Sequence, residues 1–428
     1  MSNEARRQEK NCGLVMFLLL ASLLLCLPAS VSAQKIAIEA ETLHTMGPAG
    51  AITNGVVLIE NGKIIAVGPA AQVKPPAGYA RLRAKIATPG LIDAKTSVGL
   101  SGIYNVPADQ DQDEDTDPNT ADVRALDSFN PREPLLAFVR SYGVTTLQAT
   151  PGRKNPIAGQ AGIFKTAGDT AEAMAMRPIS AVVFNLGEQP KATYGAQGKA
   201  PSTRMGTAAL IRKALADAQK YLAKCQEWES KDKKDNSGQP SRDLKLEALG
   251  RALRGEVPAI FAAHREDDIA TAIRIAQEFK LKLILSQATE GYLAREIIHR
   301  AGVPVLAGPA LQRIDGPETV NASLENAALL AEVGIPIAFS SGFEDYGPKN
   351  RVILFEAAVA AANGLGAERA LRAATIDAAK ILGIADRVGS LEAGKDADVV
   401  LFDGDPFEYT AHVEAVLVTG QMTYARKR

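Results

Sequence analysis

"TPGLIDAKTSVGL", residues 88–100, decides how the rest of the chain is read. Pro89-Gly90 is a turn signal, and the apolar pair Leu91-Ile92 starts a strand behind it. Polar residues then crowd the strand's far end: Asp93, Lys95, Thr96 and Ser97. Lys95 and Ser97 are two apart, so an extended chain places both on one face. The stretch is the first of eight candidate strands, the others being 144–150, 161–166, 180–187, 258–264, 282–287, 303–308 and 335–341. Helical patterns separate most of them. In 267–279, for example, Ile269, Ala272, Ile273 and Ala276 recur at helical spacing. Alternating strands and helices with apolar strand faces imply a parallel sheet. Eight such units over 88–387 predict an α/β fold, a distorted (β/α)8 barrel of the TIM type. The connection from 144–150 to 161–166 is short and rich in Gly and Pro, and a doubly wound open sheet is the alternative.

The two ends of the chain look alike. Residues 35–41, 55–60 and 63–68 are rich in Ile and Val, and Asn61-Gly62 signals a type I′ hairpin between the last two. Residues 396–404 and 413–424 repeat that character. A small β-sandwich assembled from 34–87 and 388–428 is expected. Ahead of it, Arg6, Arg7 and Lys10 precede the apolar run Leu14–Leu27, Pro28 and the small residues Val31 and Ala33. That order reads as a secretory signal over 1–33, cleaved near Ala33, with an uncleaved anchor as the alternative. The run is shorter than the ~20 residues a membrane span needs, so the mature chain is expected to be exported, periplasmic or secreted, without a transmembrane span. Cys12 and Cys26 fall in the signal, leaving Cys225 alone, so no internal disulfide is expected.

A net charge of −1 and 5% aromatic residues give neither the basic surface nor the stacking platform that nucleic acid requires. Residues 109–117, "DQDQDEDTD", alternate Asp as calcium loops do. However, Glu114 stands where such a loop needs Gly, and Thr120 where it needs its closing Glu, so a solvated acidic loop is expected. Residues 229–243 read as a charged, exposed excursion.

In a parallel barrel the chemistry sits at the C-terminal ends of the strands. Those ends offer Lys95 and Ser97, Glu188, Ala262 and His264, Gln287, and Ser340-Ser341-Gly342. Here the chain resembles the amidohydrolase superfamily, in its imidazolonepropionase-like branch. "TPGLIDAKTS" is similar to that family's Pro-Gly-Leu-Ile-Asp-x-His-x-His. "HREDDIATAIRIAQEF" (264–279), "LSQATEGY" (285–292) and "ILGIADRVGSLEAGKDADVVLFDGDP" (381–406) resemble its segments after strand 5, at strand 6 and at the exit into the β domain. The resemblance implies a hydrolase of non-peptide C–N bonds, in cyclic amides or dipeptide-like substrates. It also implies one or two divalent metals held by two strand 1 histidines, a strand 4 acid or modified lysine, strand 5 and 6 histidines and a strand 8 aspartate. Carried over, Lys95 and Ser97 stand at the histidine pair, Gln287 at the strand 6 histidine and Gly342 at the strand 8 aspartate. Glu188 keeps the strand 4 acid and His264 one strand 5 histidine, so these two are the residual metal candidates. Zinc-type sites need deprotonated donors. The expected outcome is weak zinc binding at most, no resident cofactor, and weak or absent metal-dependent catalysis.

Three readings of Lys95 follow. It replaces the metal charge and pairs with Glu188, it snorkels to solvent, or it forms a nucleophilic pair with Ser97. His264 is a residual ligand, an acid–base group or a histidine held by core hydrogen bonds. Arg204 is a candidate clamp for a substrate carboxylate or an ordinary exposed arginine, with Ser202 or Thr203 capping the helix behind it. Glu344 and Asp345 could stand in for the strand 8 aspartate from a shifted loop. His44, His299 and His412 lie away from the strand ends. The expected partner is a small amide or peptide-like molecule. A non-catalytic homologue that binds a ligand, forms a homo-oligomer or pairs with an active paralogue is the alternative.

Overall fold

The computed structural model describes residues 35–104, 106–230, 238–310, 316–342 and 353–427. The signal segment, Glu344 and Asp345 lie outside these residues. The compact unit Lys35–Arg428 is described here. Its strands follow in chain order. Four lead: β1 (Lys35–His44), β2 (Ala51–Glu60), β3 (Lys63–Pro69) and β4 (Ala80–Pro89). Eight come next: β5 (Leu91–Thr96), β6 (Val144–Ala149), β7 (Ile157–Lys165), β8 (Ala175–Asn185), β9 (Ala259–Ala263), β10 (Leu283–Gln287), β11 (Val305–Ala307) and β12 (Ile337–Phe339). The last three are β13 (Val399–Phe402), β14 (Val413–Val418) and β15 (Gln421–Ala425).

Both chain ends build one sheet, in the order β15-β14-β13-β4-β1-β2-β3. Its hairpin turn carries Asn61 at φ 50° and Gly62 at φ 76°, the two positive angles of a type I′ turn. The turn reaches the other end of the chain, where Ala397 N donates to Gly62 O at 2.9 Å. Ile38, Leu43, Ile59, Val399 and Leu417 share the core this arrangement encloses. Pro89-Gly90 is where the chain leaves that sheet for the barrel. A β-carbon at Gly90 would lie 2.0 Å from Thr145 Oγ1, so only glycine lets β5 enter so close to β6.

The barrel strands run in the order β12-β11-β10-β9-β8-β7-β6-β5. The ring closes between β12 and β5, where Gly342 N donates to Lys95 O at 3.1 Å and Ser340 Oγ donates to the same carbonyl at 2.8 Å. Two cores follow from the period of two in each strand. Ile92, Ala94, Val183, Ile260, Ile284, Leu306 and Ala338 fill the interior, and Ala378, Ala379 and Leu382 pack against them. Their neighbours Leu91, Phe184, Phe261, Leu285, Ala307 and Phe339 face the helices.

The expectation of parallel strands throughout fails at one strand. β7 runs antiparallel to both β6 and β8. The β6–β7 connection, 150–156, is too short for a crossover helix, so the chain can only turn back. The expected end of strand 4 also moves: β8 stops at Asn185, and Glu188 opens the helix Glu188–Gly195. The acidic segment 109–117 is exposed or half-exposed, as expected, and is also pinned by its carboxylates. Asp113 Oδ1 accepts from Lys154 N at 3.0 Å, Asp115 pairs with Lys154 Nζ at 3.1 Å and Asp117 with Lys245 at 2.7 Å. Among the described residues no helix is long and apolar enough to cross a membrane.

Candidate functional site at the barrel mouth

The last turn of β5 builds one wall of the mouth. Asp93 is buried, and its carboxylate accepts from Ser341 N at 3.1 Å, from Ser341 Oγ and from Lys95 N at 3.3 Å. Burial pushes its pKa up to about 7 against the pull of those bonds. Asp93 thus fastens the barrel seam, and β5 is irregular between Asp93 and Thr96 in its pairing with β6. Lys95 follows, with no exposed surface. Burial first, and then the charge of Arg153, bring its pKa down to about 7. Snorkelling is excluded by that burial. The expected pairing with Glu188 is also not formed: among the described residues no ion pair joins them, and a charged neighbour that acts on Lys95 is Arg153. The reason is local. Glu188 lies beyond the end of β8 in a helical first turn, and its backbone N–H is taken by the carboxylate of Glu318. Ser97 is buried and its carbonyl starts a turn, accepting from Leu100 N and Ser101 N at 2.9 Å each.

Across the mouth, His264 follows β9. Its Nδ1 bonds Thr289 Oγ1 at 2.7 Å. Burial lowers its pKa to about 4, aided by the charges of Arg153 and Lys95, so the ring is neutral at physiological pH. Those mutual effects bring Lys95, Arg153 and His264 together. Arg153 is the residue that sequence reading missed. It sits in the β6–β7 connection, a strand end like the others, but its Pro-Gly-Arg-Lys context reads as an ordinary turn.

The remaining predicted residues part from the group. Gln287 ends β10 at φ 68° and lines a narrow cleft with Ala307 and Phe339, behind the barrel wall rather than inside it. Gly342 adopts φ 71°, and a β-carbon there would lie 2.7 Å from Pro309 Cδ. An aspartate in that conformation would be strained and crowded. Arg204 is no free clamp. Its Nε donates to Asp268 at 2.9 Å and its Nη2 donates to Glu318. Both acids are raised above their ordinary values, burial being the main cause, while Arg204 pulls them down. Thr203, not Ser202, caps the helix Arg204–Ser230 by accepting from Gly206 N at 3.0 Å. His44 and His412 belong to the terminal sheet region and His299 to the helix Arg295–Ala301.

The donor set can be tested against a metal of the zinc type, which wants three deprotonated N, S or O side chains. Among the described residues no group of three His, Cys, Asp or Glu converges so as to hold one. Of the residues gathered here only neutral His264, through Nε2, is a donor of that type; the Lys95 amine and Ser97 hydroxyl are not, so this group falls short of three.

Comparisons with known proteins place this geometry. Residues 320–424 match the family described as Amidohydrolase family. The solved structure of an amidohydrolase from Thermotoga maritima MSB8 superposes with a TM-score of 0.85 at 32% identity, over 92% of this chain and 100% of that one. The amidohydrolase tasK of Hapsidospora irregularis is 27% identical over 388 residues, 86% of this chain and 39% of that protein. An imidazolonepropionase of Thermoplasma acidophilum is 28% identical over 113 residues, 25% of this chain and 28% of that enzyme. The chain therefore spans about two fifths of the length of the first of these curated relatives.

Proposed function

The chain belongs to the amidohydrolase family, and from that premise we propose that it takes a small amide, cyclic or dipeptide-like, at the C-terminal mouth of its barrel, in the manner of a hydrolase of non-peptide C–N bonds whose metal-dependent catalysis is weak or lost. The observation that carries this reading is the cationic mouth. Lys95 and Arg153 stand at the strand ends where the family's metal would bring positive charge, and His264 beside them is neutral. Arg153, together with Lys95 in its protonated form, supplies part of what a metal supplies, a field that polarises a carbonyl oxygen. They cannot lower the pKa of a bound water as a coordinated ion does. His264, oriented by Thr289, is a neutral base, and so is the Lys95 amine when unprotonated. The chemistry left to these residues is therefore binding and polarising an amide, with slow hydrolysis at most.

The similarity to the Thermotoga maritima amidohydrolase structure over all of that chain, and to part of the amidohydrolase tasK, supports the reading. Export after removal of residues 1–33 is part of the proposal, as are zinc binding no stronger than a weak association at Glu188 or His264 and self-association into a homo-oligomer. The test is a hydrolysis assay on hydantoins, imidazolones and Xaa-Pro dipeptides, with and without added zinc. Binding with turnover that zinc does not raise is expected. Zinc-dependent turnover at rates ordinary for enzymes, on the order of 10 per second, would overturn it.

A further inference from the structure

One interior layer below His264, the barrel's apolar filling gives way to polar side chains. The register aligns Asn185 of β8 with Ala262 of β9, and Ala262 with Ser286 of β10. Asn185 follows Ala181 and Val183 on the inward face, and Ser286 follows Ile284. Both are buried, at 2% and 0% exposure. Ala262 between them contributes only a methyl group.

Each of the two side chains keeps one oxygen without a hydrogen-bond partner among the described residues. Asn185 Nδ2 donates to Gly152 O at 3.0 Å and to Asn155 O at 2.8 Å. Those bonds fix which end of the amide is which, because only the nitrogen can donate to two carbonyls. They leave Asn185 Oδ1 buried with no partner among the described residues, and Ser286 Oγ is in the same state. A buried polar atom without a partner costs about 1–3 kcal/mol, and native proteins keep few of them. Two in one layer, under the mouth, with their strands fixed by register, form a prepared acceptor and a prepared donor.

We propose that Asn185 Oδ1 and Ser286 Oγ read one edge of a cyclic amide, Asn185 accepting its N–H and Ser286 donating to its C=O. The inference rests on the mouth being a small-amide site and narrows the substrate class. A ring holds the amide cis, so its N–H and C=O lie on the same edge and two groups on one wall reach both. A trans amide points them in opposite directions and satisfies only one. Sites built to hydrogen-bond a group reject analogues lacking it strongly, because the protein atoms are then left unpaired.

The test uses the whole chain and three probes: 2-pyrrolidinone, its N-methyl derivative and the linear N-methylacetamide. Calorimetry is expected to show wild-type protein binding 2-pyrrolidinone at least tenfold more tightly than either of the others. Ser286→Ala, which removes one oxygen and no structural bond, is expected to weaken 2-pyrrolidinone about tenfold and to narrow its advantage over N-methylacetamide. A crystal structure of the ligand-free protein is expected to show a water bonded to both atoms, displaced in the 2-pyrrolidinone complex. Lactam binding that ignores both N-methylation and Ser286→Ala overturns the pair while leaving the mouth as an amide site. A lactam seated elsewhere with that water retained does the same. No binding of any of the three overturns both.

Discussion

At the scale of single residues, the chain spends its polar groups on closing the barrel. Asp93 holds two donors of Ser341 across the seam between β5 and the end of β12. Asp93→Ala leaves Ser341 N buried without this acceptor, while Ser341 Oγ keeps Thr96 Oγ1 at 2.9 Å. A loss of about 1–3 kcal/mol, the cost of one unmet buried donor, is expected in chemical denaturation, with Asp93→Asn losing less; an unchanged midpoint for the alanine variant would contradict the seam role. His264 sets a pH dependence whose sign is fixed. Its pKa is about 4 in the folded chain against 6.5 ordinarily. Between those values the unfolded chain takes up a proton that the folded chain refuses, so stability falls as pH drops from 6.5 toward 4. Comparing wild type with His264→Gln across that range checks it: the variant is expected to lose less stability on acidification.

The quoted stretch shows how far residues alone carry. Pro89-Gly90 marked the entry to the barrel, and Gly90 proves to be there because Thr145 leaves no room for a side chain. Lys95 was legible as a cation in a mouth, but its neighbour was not. Glu188 was its expected partner because family positions converge, whereas the chain ends β8 three residues earlier and turns into a helix. Arg153, Asn185 and Ser286 carry no motif, and only the register of neighbouring strands brings them to the mouth.

At the scale of elements, the loops on the C-terminal face are tied together by side chains of opposite charge. Arg204, at the start of its helix, holds Asp268 from the helix after β9 and Glu318 from the connection after β11. Glu318 in turn takes the N–H of Glu188 and lies so near Gly187 that a β-carbon there would come within 2.6 Å of it. Arg204→Met removes the shared partner of two acids. Hydrogen exchange is expected to quicken in 187–195 and 316–326 together and to stay unchanged in β9 and β10; faster exchange in one segment only would show that Arg204 does not couple them. This also explains why periodicity found the barrel but not the path of β7. Alternation of apolar residues fixes which face of a strand is inward and says nothing of its direction. Direction follows from the connection, and the brief β6–β7 turn allowed only a reversal.

At the scale of the whole molecule, the terminal sheet and the barrel are locked by buried charge. Lys165, at the end of β7, pairs with Asp398 at 2.5 Å and Asp396 at 3.2 Å, and Arg387 and Lys63 also reach Asp396. The resemblance at 381–406 covers this segment, which is why the exit into the β domain was readable in advance. Lys165→Met leaves the buried Asp398 without its cation, while Asp396 keeps Arg387 and Lys63, and breaking such a buried pair costs about 3–5 kcal/mol. A single, cooperative transition at a lower temperature is expected in calorimetry, and an unshifted transition would contradict the lock.

The central claim is that Lys95 and Arg153 occupy the place of a resident metal. Elemental analysis of the purified, full-length protein, prepared without chelator and dialysed against metal-free buffer, tests it most directly. The account predicts far less than one zinc, or other divalent transition metal, per chain. One tightly held ion per chain, lost together with hydrolytic activity on chelation, would contradict it.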